Sequence, residues 1–295
     1  MSSSEYYRQM RQQEARARNE AYSTLSFQEK LKYSFELIRA YWRVFLWAAL
    51  FAGLVMLLAN ILFSNMMSVS SIQPWSGFGW SGASGLDLMG VWIRNLLVGF
   101  VFQSCMVCTA SLMLHVVDKG VPDNPIPVFL APWERGWTLA VQLAYWLALD
   151  FIFLGIAAQA ARVPYLGIWI FWLLFFIILT VNCCAMYYLA SSYDVDFLES
   201  VFEPFKLLKI NPLAWLETAG ALGLSFLVPA GFYILAGFLP RLLALILISP
   251  LIWLSYFCLP FFALIFIGYT FKQTKADLEL EESGQIRTLG DDGLL

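Results

Sequence analysis

The chain has 295 residues, 60% of them hydrophobic, 17% aromatic and only 13% charged, with a net charge of −3. Its mean hydropathy is +0.69, which is far more apolar than a water-soluble domain of this length needs, so an integral membrane protein is expected. With no basic excess a nucleic-acid partner is not expected, and in such a chain the placement of charge matters more than its sum.

Residues 1–25 read as a charged arm. Ser4 to Asn19 mixes Glu, Gln, Arg and Tyr without a broad apolar face, as in a solvated or mobile segment whose structure depends on a partner. The first 40 residues lack a secretory apolar region, so no cleavage is expected and the first span must act as the insertion signal.

Ser26-Phe27-Gln28-Glu29 fits a capping box, in which the serine hydroxyl accepts from a free backbone N–H and the glutamate reaches back to the cap. A helix over 26–43 follows. On it Phe27, Leu31, Phe35, Ile38, Trp42 and Phe45 recur at three- and four-residue spacing, with Lys32, Glu36, Arg39 and Arg43 opposite. Such a helix suits the inner membrane interface, its apolar face in the acyl boundary, turning at its end into the first span. Docking against a soluble domain is the weaker reading, because the chain has no such domain to receive it.

Runs of spanning length occur at 44–63, 96–117, 137–159, 165–190, 213–238 and 242–270, which predicts six transmembrane helices. Spans one to four fill 44–190, a second interfacial helix occupies 191–212, spans five and six fill 213–270, and 271–295 forms an acidic tail. Of the 18 Lys and Arg, all but Arg94, Arg162 and Arg241 then fall on one side of the membrane. That asymmetry puts both termini in the cytoplasm.

Cys105, Cys108, Cys183, Cys184 and Cys258 all fall inside predicted spans, so a disulfide framework is not expected. Trp42, Trp47, Trp75, Trp80, Trp92, Trp133, Trp137 and Trp215 cluster at span ends, where an indole prefers the headgroup layer.

The second interfacial helix repeats the first. A shift of 167 positions lays Leu31, Phe35 and Ile38 on Leu198, Phe202 and Phe205, and Lys32, Glu36 and Arg39 on Glu199, Glu203 and Lys206. Asn211-Pro212 then signals a turn before span five. Both copies start in the cytoplasm, so the duplication is parallel, around an inserted hairpin of spans three and four. Asp123 to Trp137 gives that hairpin its own aromatic, proline-broken lead, with no third copy of the stripe.

Phe35 to Trp47, Phe202 to Trp215 and, more loosely, Tyr269 to Lys272 carry a resemblance to the membrane domain associated with glycerophosphoryl diester phosphodiesterases and its stand-alone relatives. The resemblance covers about half the chain. It implies a bacterial inner membrane, and a membrane module without chemistry of its own. The family's catalysis belongs to a soluble barrel of about 250 residues, for which this chain has no room.

Asp150 is the carboxylate deepest inside a span, and such a group marks a functional site unless it is paired or neutral. It is read either as functional or as glue tying span three to Asn182, Gln103 or a tyrosine. Arg94 and Glu217 are expected at the interfaces, in reach of headgroups or water. Cys105 and Cys108 share a helix face, but His115, the single histidine, is about 15 Å further along the axis, so buried packing is favoured over a metal site. Pro229, Pro250 and Pro260 can break spans five and six as in transporters, or be tolerated as in ordinary spans. Ala219 and Gly223 suit a helix-packing contact.

No phosphate-binding loop, nucleophile triad, carboxylate pair or metalloprotease helix motif occurs in a workable position, so no enzyme activity, cofactor or metal is expected. The function expected is that of a non-catalytic scaffold, anchor or accessory subunit, meeting membrane lipids along its spans and a protein partner through the N-terminal arm. The alternative is a small-solute or lipid transporter using Asp150 and the proline-broken spans.

Overall fold

The computed structural model describes residues 21–66, 85–120, 122–160, 163, 166–191, 196–238 and 248–282. The expected arm is therefore described only from residue 21, and Trp75, Trp80, Arg162 and Arg241 lie outside the described residues. Every regular element among the described residues is helical: α1 Phe27–Met66, α2 Gly85–Lys119, α3 Pro125–Leu130, a 3-10 turn Ala131–Arg135, α4 Trp137–Ala160, α5 Gly167–Ser191, α6 Phe197–Ile210, α7 Pro212–Gly237 and α8 Ser249–Glu282.

Among the described residues five stretches are long and apolar enough to cross a membrane: Phe27–Val55, Leu96–Lys119, Trp137–Ala157, Trp169–Ser191 and Pro212–Gly237. The chain is an all-helical membrane protein. The sixth expected run, 242–270, falls partly outside the described residues, and its remainder opens α8.

The capping box forms as its residue types require. Ser26 donates its backbone N–H to Glu29 Oε2 at 2.8 Å, and Glu29 returns its own N–H to Ser26 Oγ at 3.3 Å. The turn expected near residue 43 is a kink at Tyr41 (φ −130°, ψ 25°), where two helical stretches of α1 meet. Asn211 makes the second break with φ −132° and ψ 70°. Its Oδ1 accepts from the Ala214 N–H at 3.2 Å, and Pro212 takes the first helical position, where no N–H is needed.

The lead into α4 works the same way. Asn124 Oδ1 accepts from the Ile126 N–H at 3.1 Å and starts α3, which buries Phe129 edge-on against Trp47 and Phe51, with ring centroids 5.7 and 5.4 Å away. Gly136, at φ +54°, makes the sharp turn into α4 that an L side chain resists.

Cross-links gather one end of the helices, where Lys and Arg concentrate. The Lys272 ammonium pairs with Asp118, which also accepts from the Tyr22 hydroxyl at 3.2 Å, while Arg135 donates to the Leu189 carbonyl. The largest core cluster sits at this end, drawing Cys108 and Met113 from α2, Cys184 and Tyr187 from α5, Trp215 from α7, and Ile267 and Phe271 from α8.

Of the two readings of the prolines, the tolerated one fits Pro229 and Pro260, which lie inside the uninterrupted α7 and α8, whereas Pro250 stands in the first turn of α8, next to residues outside those described. Two expectations are corrected here. Trp215 is a core residue and not a headgroup anchor, whereas Trp42 and Trp137 are exposed. The acidic tail expected from residue 271 stays helical to Glu282, with Phe271, Thr274, Ala276 and Leu280 buried against the bundle.

Candidate functional site

Three apolar stripes lead to the candidate site. Leu139, Leu143 and Trp146 step along α4 at four- and three-residue spacing and are buried, and the next position on that face is Asp150. On α2 the buried Val107 stands one turn from Gln103, and on α5 Ala185, Met186 and Leu189 lead back to Asn182. These helices pack on one another, so continuing each stripe by one turn brings Asp150, Gln103 and Asn182 together.

The three polar residues do meet. Gln103 Nε2 donates to Asp150 Oδ2 at 2.8 Å, and Asn182 Nδ2 donates to the same oxygen. The grouping read from the sequence is therefore present in space. Gln103 is only 1% exposed, so its amide cannot turn to water instead.

No Lys or Arg pairs with Asp150 among the described residues. Arg94 is on the same helix as Gln103 but about 13 Å along its axis. Beside Asp150 a cavity of about 220 Å³ opens between α4 and α5, walled by Leu149, Phe153, Ile177 and Val181, with Trp146 and Phe205 at its inner end. Phe205 stacks on Trp146, centroids 5.9 Å apart, so α6 lines that end of the pocket.

That arrangement can accept hydrogen bonds and hold a positive charge. It cannot relay a proton through histidine, because His115 is about 18 Å along α2 from Gln103. Among the described residues no His, Cys, Asp and Glu cluster could hold a metal. Cys108, Cys183 and Cys184 are buried free thiols, and Cys105 is half-buried.

A second polar cluster was not visible in the sequence. Lys30, counted there only among the Lys and Arg of one side of the membrane, is 1% exposed, and its Nζ donates to Glu217 Oε2 at 2.7 Å and to Gln273 Oε1 at 3.1 Å. The Phe266 ring faces the same ammonium at 5.2 Å. Gln273 then donates its Nε2 to the backbone carbonyls of Ser23 at 3.3 Å and Leu25 at 3.1 Å, stitching the end of the arm to α8. Glu217, expected to be wet, is thus paired. The available signal was Glu217 itself, an ionisable group one turn inside an apolar span that needs a partner.

Nearby, Asn211 Nδ2 donates to Asp277 Oδ2 at 3.1 Å. Burial raises the Asp277 pKa above its ordinary 3.8, against the lowering pull of the Asn211 hydrogen bond and the Lys30 charge.

The interfacial-helix residues read from the sequence fall as follows. Phe35 is 64% and Phe202 59% exposed, Trp42 and Phe205 are exposed, and Ile38 is half-buried. No family model matches the chain, and no curated protein or solved structure matches it.

Proposed function

We propose that the chain is a six-span inner-membrane module with both termini in the cytoplasm, a scaffold, anchor or accessory subunit without chemistry of its own. Two helices of the same pattern lie in the inner interface, and the N-terminal arm meets a protein partner. Kinship with the membrane domain of glycerophosphoryl diester phosphodiesterases belongs to the same reading.

One observation carries it. Both copies of the stripe expose large aromatic groups on one side and Lys32, Glu36 and Arg39, or Glu199 and Lys206, on the other. Side chains exposed on both sides suit a helix with lipid on one side and water or a partner on the other. The Lys30 cluster fixes the first copy rigidly, which favours a docking platform over a mobile arm.

The test is to extract the protein with its native lipids and identify by mass spectrometry what co-purifies in fixed ratio. A stoichiometric protein partner, lost on deletion of residues 1–20, is the expected result. That deletion leaves the Tyr22, Ser23 and Leu25 contacts intact, so loss of the partner reports docking and not unfolding. An unchanged set of associations would remove the arm from the account.

The pocket beside Asp150 favours a second reading, a transporter of a small solute or lipid. It predicts that Asp150→Asn abolishes flux in proteoliposomes while the protein stays folded and inserted.

A further inference from the structure

The scaffold reading leaves the surroundings of Asp150 unused. Gln103 and Asn182 direct their N–H groups at Asp150 Oδ2, and no described residue donates to Oδ1. Their own oxygens, Gln103 Oε1 and Asn182 Oδ1, are buried with no hydrogen-bond partner. An unsatisfied buried acceptor costs about 1–3 kcal/mol, and native proteins seldom tolerate one without a reason. Two sit here beside a carboxylate at membrane depth, where an unpaired charge is costlier still.

All of these groups lack the same thing, donors and positive charge. An ammonium provides both, with three N–H donors and no acceptor. Next to it the cavity offers apolar wall from Leu149, Phe153, Ile177 and Val181. An apolar cavity of about 150 Å³ is known to hold benzene, so about 220 Å³ has room for a ring and a short arm. Phe153 and Ile177 are also exposed on the outside of the bundle, so the pocket opens sideways, toward lipid.

The ring is called for by the remaining unpaired group. Trp146 lines the pocket one turn from Asp150, and its indole N–H is buried without an acceptor. The face of an aromatic ring can accept such an N–H.

We propose that this pocket binds a small arylalkylamine partitioned into the membrane, its ammonium held by Asp150 with Gln103 Oε1 and Asn182 Oδ1 behind it, and the face of its ring against the Trp146 indole N–H. The proposal rests on the second reading for the accessibility of Asp150, and not for any movement of the ligand across the membrane.

The test titrates the full chain in lipid nanodiscs with 2-phenylethylamine, and in parallel with ethylbenzene, which has the ring and no amine. Saturable one-to-one amine binding is expected, weakened at least tenfold in Asp150→Asn, with ethylbenzene bound weakly and equally by both proteins. Val181→Trp, which fills the pocket and keeps Asp150, should abolish amine binding, and it stands in for Asp150→Asn should that variant not fold. No saturable amine binding, equal binding by Asp150→Asn, or ethylbenzene bound as tightly as the amine would each overturn the proposal. Amine binding without flux in proteoliposomes would end the transport reading and leave the site standing. Flux of another solute without amine binding would do the reverse.

Discussion

In the first turns of α1 the inward stripe starts with Lys30 and Ser34, both buried; the positions 167 further on, in α6, are Phe197, which is exposed, and Val201, which is buried. The second helix instead buries Ser200, Val201, Pro204 and Leu207. What the repeat preserves is the outward pattern, exposed aromatics beside charges. What it does not preserve is the fastening, because each inward face answers to different neighbours. The first meets Glu217 and Gln273 on α7 and α8, and the second sets Pro204 against Cys184 on α5, with the half-exposed Phe197 and Phe205 at its edge against Tyr145 and Trp146 on α4. An ion pair in such a place is costly to break from one side yet adds little over an apolar replacement of both partners, whereas an apolar face loses stability in proportion to what is cut away.

The largest effect should come from Glu217→Gln, which strands the buried Lys30 ammonium. We expect a loss of about 3–5 kcal/mol, toward the lower end because the Glu217 side chain is 24% exposed. Unfolding titrations in mixed micelles measure it. Adding Lys30→Met should restore most of the loss, and a double variant as unstable as Glu217→Gln alone would contradict the pairing. In the second helix Leu207→Ala should cost about 2–4 kcal/mol by leaving a void, with no partner substitution able to restore it.

Smaller is the pH dependence at Asp277. Because its folded pKa lies above the ordinary 3.8, its contribution is complete below that value and is lost as pH rises through the raised one. Asp277→Asn should flatten that part of the stability curve, and a curve unchanged by the variant would remove Asp277 from the α7–α8 contact. Smallest is Glu203→Gln, which breaks the surface pair with Lys206 one turn away and should change stability by about 0.5 kcal/mol or less.

The same comparison marks what the sequence makes legible. Span positions, the capping box and the two outward stripes follow from local periodicity, and the Asp150, Gln103 and Asn182 grouping follows from the rule that an intramembrane carboxylate needs donors. The burial of Lys30 does not follow from anything local. Hydropathy scores a solvated and an ion-paired lysine alike, and Glu217 is 187 positions away. Which of the two readings of Pro229 and Pro260 holds is equally non-local, since a proline reports the missing N–H and not whether neighbours make up for it.

The most direct test of the account places nitroxide labels at Phe35, Glu36, Phe202 and Glu203 of the protein in nanodiscs and compares their access to oxygen and to a water-soluble nickel chelate. Labels at 35 and 202 should lie just below the lipid phosphates, favouring oxygen, and those at 36 and 203 should be in water. Labels at 35 and 202 as wet as their neighbours would contradict two helices lying in one membrane interface.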